Sequence, residues 1–119
     1  MELEQMISDT QDVTQQLYTI VEPWDSIQVV AHLASVVGRV SDDVMTIEGK
    51  LAYPIENARL ARSLADVVMQ TIRLGNLYHV DLVQAWAALL EEARTGLSDE
   101  ATVSRMREII RQNQERKDL

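Results

Sequence analysis

Helix breakers are scarce in this sequence, and their positions constrain the fold more than any other feature. Among 119 residues there are four glycines and two prolines. Pro23 follows one periodic stretch, Gly49 and Pro54 bracket a second break, Gly75 lies late in a third stretch and Gly96 follows a fourth. The long segments between them carry apolar residues at helical spacing, so the chain is expected to be all-α, with four or five helices. Short connections favour antiparallel neighbours and therefore a helical bundle. There is no internal repeat and no low-complexity segment, and residues 1–119 are expected to form one domain.

The first helix is predicted over about residues 3–21. Leu3, Met6, Ile7, Val13, Leu17, Ile20 and Val21 form its interrupted stripe, and Pro23 prevents continuation. The second is predicted from Asp25 to about Glu48, with Asp25 and Gln28 as a capping box. Its stripe is Ile27, Val30, Leu33, Ala34, Val37, Val40, Val44 and Ile47. The segment is rich in valine, but its length and its 3.6-residue period favour helix over strand. A loop follows at 49–54, and a third helix from about Ile55 to Tyr78 carries Leu60, Leu64, Val67, Val68, Thr71, Leu74 and Leu77. Gly75-Asn76 is expected to bend or fray its end. A fourth helix at about 82–95 opens on Asp81 and Gln84 and stops at Gly96. Ser98-Asp99-Glu100 starts a fifth, with acids at its positive pole and Arg111, Arg116 and Lys117 towards its negative one.

Composition excludes several classes. Without cysteine there is no disulfide framework, thiolate metal site or cysteine nucleophile. A hydrophobic fraction of 46% is too high for a disordered chain. No uncharged apolar run is long enough for a membrane span, and the polar, acidic Met1-Glu2-Leu3-Glu4-Gln5 is wrong for a signal peptide. A net charge of −8 argues against nucleic-acid binding. The expectation is a cytoplasmic protein with no membrane partner. The charge is uneven: residues 1–48 hold nine acids and one base, Arg39. This acidity reads as a property of the surface, relevant to solubility and subunit contacts.

Two segments resemble a known family. Leu33-Ala34-Ser35-Val36-Val37-Gly38-Arg39-Val40 is one, and Ser63-Leu64-Ala65-Asp66-Val67-Val68, continuing through Arg73-Leu74 to Val80-Asp81-Leu82, is the other. Together, over about residues 24–95, they resemble the MazG-like all-α nucleoside triphosphate pyrophosphohydrolases, a superfamily that includes dimeric dUTPases and phosphoribosyl-ATP pyrophosphohydrolases. Its pattern is Glu-Glu-x-Gly-Glu-Leu on one helix and Glu-Leu-Ala-Asp-Val on a later one. The resemblance implies a bundle completed by oligomerisation, with four acids of ExxE and ExxD holding Mg²⁺ at its mouth. Hard oxygen ligands suit that ion, acids three residues apart share a helix face, and metal-bound water would attack a phosphorus.

This sequence departs from the pattern at those four positions. ExxE falls on Val36 and Arg39, and ExxD on Ser63 and Asp66. One acid remains of four, and Arg39 would put a permanent cation at the metal position. Asp66 is expected to be partly buried and to need a partner. That partner is either Arg39 across the helices or Arg62 on its own helix, with Arg39 then in solvent. A displaced metal site could use Asp43, Asp66 and perhaps Glu56; alternatively Asp42 and Asp43 are a solvated face paired with Arg39.

Other candidates for a substrate pocket are His32 and Trp24. His32, one turn before Val36, would face the family's substrate site or be a half-buried packing residue. Trp24 would lie near a substrate base or form a hydrophobic staple before Asp25. Trp86 is expected in a core or a subunit interface. Arg105, Arg107, Arg111 and Arg116 form a basic set on the fifth helix, partly offset by Glu108 and Glu115. No glycine-rich phosphate loop, Gly-x-Ser-x-Gly or His-Glu-x-x-His occurs. The expected function is a divergent MazG-like protein without conventional magnesium catalysis and with no cofactor, acting as a nucleotide or small-molecule binder or an interaction module. It is expected to be a homo-oligomer, either a dimer or a tetramer. The alternatives are an active pyrophosphohydrolase with displaced acids and Mg²⁺, and an unrelated helical adaptor.

Overall fold

The computed structural model describes residues 1–117. Among them are five α-helices and no strand, so the fold class is all-α as expected. They are α1 (Leu3–Leu17), α2 (Ser26–Ile47), α3 (Leu60–Leu77), α4 (Leu82–Ser98) and α5 (Glu100–Lys117), with a short 3₁₀ turn at Ile55–Asn57. The chain divides into two compact units, Met1–Leu82 and the residues from Val83 onward.

In the first unit α3 is the central element, with α2 and α1 packed on it. α2 begins as its capping box requires. The Asp25 carboxylate accepts from the Gln28 N–H at 2.8 Å, and the Asp25 N–H donates to Gln28 Oε1 at 2.9 Å. Its other end is a Schellman motif: Lys50 N–H bonds to Met45 O, Gly49 N–H bonds to Thr46 O, and Gly49 takes φ 73°. α3 ends the same way, with Val80 N–H on Gly75 O and His79 N–H on Asn76 O, but here His79 occupies the left-handed position at φ 56°.

Several expectations are corrected. α1 stops at Leu17 rather than 21: Thr19, Ile20 and Val21 close back in turns on Gln16 and Leu17, and the residue before Pro23 resists helical geometry. α3 starts at Leu60 rather than 55, because Asp43 of α2 takes the Arg59 N–H and sets the start there. Gly75 does not fray α3. It is buried, and a Cβ there would stand 2.8 Å from Leu82 Cδ1, so its missing side chain is what lets Leu82 approach.

The largest correction concerns the core. Among the described residues only Val29, Val36 and Ile72 are buried hydrophobics. Of the stripe expected on α2, Leu33 and Val40 are half-buried, while Ile27, Val30, Ala34, Val37, Val44 and Ile47 are exposed. On α3, Leu64, Val68, Thr71 and Leu77 are likewise exposed, and the buried positions are Ser63, Gln70, Ile72, Arg73 and Gly75. Both helices are rotated from the expected phase.

In the second unit no residue of α4 or α5 is buried. α4 runs through Gly96 to Ser98 instead of stopping at the glycine, and Trp86 is 60% exposed rather than in a core of the chain. α5 is capped by Asp99, whose carboxylate accepts from the Thr102 hydroxyl at 2.5 Å and the Thr102 N–H at 3.2 Å. These bonds, the side-chain one foremost, hold the Asp99 carboxyl below its ordinary range. Further along, the Arg111 guanidinium bridges Glu108 and Glu115. It lowers the Glu108 carboxyl, and Glu108 in return raises Arg111. Arg105, Arg107, Arg111 and Arg116 are all exposed, as a solvated face requires.

Candidate functional site

Of the four positions that the resemblance assigns to a metal, Arg39 and Asp66 meet across α2 and α3, while Ser63 meets Asp43 instead. The helices run antiparallel there, since Asp43 meets Arg59 and Ser63, while Arg39 meets Asp66. Arg39 Nη1 lies 3.7 Å from Asp66 Oδ2, which is the cross-helix pair rather than the local one with Arg62. The other Asp66 oxygen accepts from Gln70 Nε2 at 2.9 Å. Val36 has no exposed surface. Ser63 is buried and donates its hydroxyl to Asp43 Oδ2 at 2.5 Å, while Asp43 Oδ1 accepts the Arg59 N–H at 3.2 Å.

These residues do not fit a magnesium ion. That ion takes an octahedron of hard oxygens, whereas the four positions present a buried valine, a guanidinium, a hydroxyl already bonded to Asp43, and one carboxylate hydrogen-bonded to Gln70 and paired with Arg39. Asp43 is not part of a solvated face paired with Arg39. It is half-buried, and both its oxygens are engaged by α3. Among the described residues no three His, Asp or Glu side chains are grouped so that they could hold a metal.

The polar seam continues beyond the expected residues. Gln70, 5% exposed, donates to Asp66 and accepts from Arg73 Nη1 at 3.4 Å, so its amide is polarised between an anion and a cation. Arg73 is buried in turn and donates Nη2–H to the Tyr18 hydroxyl at 2.8 Å. Its guanidinium carbon sits 4.6 Å from the Trp24 ring centroid and 5.4 Å from that of Tyr18, within the range of cation–π attraction. Trp24 stands edge-on to His32 at 5.1 Å. His32 and Trp24 are both half-buried and pack against each other beside this seam. Tyr18, Gln70 and Arg73 were not singled out from the sequence. A signal was present: Arg73 has Met69, Gln70, Asn76 and Leu77 at its helical neighbour positions and no acid among them.

No family model, curated protein or solved structure matches this chain.

Proposed function

We propose that this chain is a divergent MazG-like protein that does not perform the family's magnesium-dependent hydrolysis and works as a self-associating interaction module. The observation that carries this reading is that α2 is apolar on its outer side as well as on the inner one, where Val29 and Val36 are buried. The helix turns Arg39 and Asp43 towards α3, where a metal and a triphosphate would otherwise enter, and leaves apolar side chains outside.

That outer face is Ile27, Val30, Ala31, Ala34, Val37, Gly38, Ser41 and Val44, all exposed and none charged. It extends about 26 Å at 1.5 Å per residue. An uncharged stripe of this length, in a chain of net charge −8, is suited to contact with protein rather than water. Its small residues allow close approach of a second helix. Gly38 costs helix stability, by roughly 1 kcal/mol relative to alanine, and among the described residues no atom beyond its own stretch of helix lies within 4 Å of where its Cβ would be. Packing within the chain therefore does not require it. An identical stripe on a second copy satisfies the self-complementarity of a two-fold interface.

Two measurements test the proposal. Light scattering should give a dimer or tetramer, and Val37→Glu should reduce the mass; a monomer at high concentration overturns the self-association. Incubation with a panel of nucleoside triphosphates and Mg²⁺ or Mn²⁺ should release no pyrophosphate. Release that is abolished in Asp66→Ala would establish the enzyme instead.

A further inference from the structure

The basic residues of α5 are arranged around an apolar stripe. Val103, Met106, Ile109 and Ile110 share one side of the helix by their spacing. Arg105 and Arg116 border that stripe on one edge and Arg107 on the other, while Glu108 and Glu115 lie at the back, tied by Arg111. Apart from Glu100 in the first turn, no acid of α5 stands beside the stripe. Among the described residues Arg105, Arg107 and Arg116 form no ion pair.

A groove of the opposite character lies between α1 and α3. Met6, Val13, Val68, Met69 and Ile72 contribute its apolar wall, it encloses about 240 Å³, and Asp9 is the only charged residue lining it. Glu2 stands two turns before Asp9 on the same side, and α1 holds neither lysine nor arginine. Methionine in both walls lets such a groove adapt to the side chains that enter it. Val13, Val68 and Met69 of the groove and Met106, Ile109 and Ile110 of α5 are 41–53% exposed. A basic-edged apolar helix and an acid-edged apolar groove thus both stand open, with the dimensions of helix-in-groove recognition. A second α5 is the wrong cover for the α5 stripe, because the same arginines would then face one another.

We propose that α5 of a second copy lies in the α1/α3 groove, with its apolar stripe between the two helices and its bordering arginines towards Glu2 and Asp9. The exchange is reciprocal, so one dimer contains the contact twice about a two-fold axis. It does not involve the α2 stripe, and the two contacts together build a dimer of dimers.

The test uses the full chain carrying Val37→Glu, which removes the α2 stripe from play. Light scattering should give a dimer. Arg105→Glu with Arg107→Glu in one variant, and Glu2→Lys with Asp9→Lys in another, should each weaken that dimer about tenfold or more. An equal mixture of the two variants should restore it, because each copy then offers the other a matching charge. If either variant does not fold, the dimer of the Val37→Glu chain must still weaken as salt rises from about 0.05 to 0.5 M. A monomeric Val37→Glu chain, a dimer indifferent to salt and to both reversals, or a mixture that stays monomeric would each overturn the proposal. So would recovery only when all four reversals share one chain, which marks a contact within a single copy. Comparison of the unaltered chain with Val37→Glu reports separately on the α2 stripe.

Discussion

Val36 has no exposed surface, whereas Val37, the next residue of α2, is 51% exposed. The contrast extends along the helix. The side of α2 away from solvent carries buried Val29 and Val36 and half-buried Leu33 and Val40, together with Arg39 and Asp43, which reach α3; outward come Ile27, Val30, Val37 and Val44. An amphipathic helix in a self-sufficient domain is apolar on its inner side alone. The difference teaches that α2 adds specific polar contacts with α3 to its apolar burial, and that a second apolar face stays exposed among the described residues.

The two valines give the sharpest test of this contrast. Val36→Glu buries a carboxylate at a position with no exposed surface. It should cost about 3–5 kcal/mol in denaturant unfolding, whereas Val37→Glu, measured at a dilution where the oligomer has dissociated, should stay within about 0.5 kcal/mol. Equal losses would break the comparison. A similar pair tests the polar contacts. Asp43→Ala removes the acceptor of Arg59 and Ser63 and should cost about 1–3 kcal/mol, while the exposed Asp42→Ala should be nearly neutral.

The Arg39–Asp66 pair should contribute less. Its distance is 3.7 Å and the Arg39 side chain is 52% exposed, so a double-mutant cycle should give a coupling below about 1 kcal/mol. Asp66→Ala alone should cost more than Arg39→Ala, because it also leaves the buried Gln70 amide without its acceptor. The smallest effect lies on α5, where Asp99 and Glu108 are exposed but hydrogen-bonded. Both carboxyls are held below their ordinary values of 3.8 and 4.5. Their contribution is therefore present above those values and is lost as pH falls through the depressed ones. Helicity followed by circular dichroism should decline slightly in that window, and Asp99→Asn should remove part of the decline.

Much of the local structure was legible. The Asp25–Gln28 box, the stop near Gly49 and the starts near Leu82 and Glu100 follow from cap and breaker chemistry acting within a few residues. The cross-helix Arg39–Asp66 pair was legible because a cation and a partly buried anion at matching positions need each other. The phase of α2 was not. The helix carries valine on both faces, Val29 and Val36 on one and Val30, Val37 and Val44 on the other, so periodicity alone cannot select the buried side. Gly96 misled for a related reason: a glycine costs a helix only about 1 kcal/mol, which a long helix tolerates.

The sequence by itself determined that this chain is helical and roughly where its helices begin. Those are properties of residue type and spacing, which act over one or two turns. Only the tertiary structure decided which face of α2 is inside, that Asp43 of α2 caps the start of α3, and that Arg73 is buried beside Tyr18 and Trp24. Each of these depends on residues brought together from positions far apart in the chain, where neither propensity nor periodicity carries information.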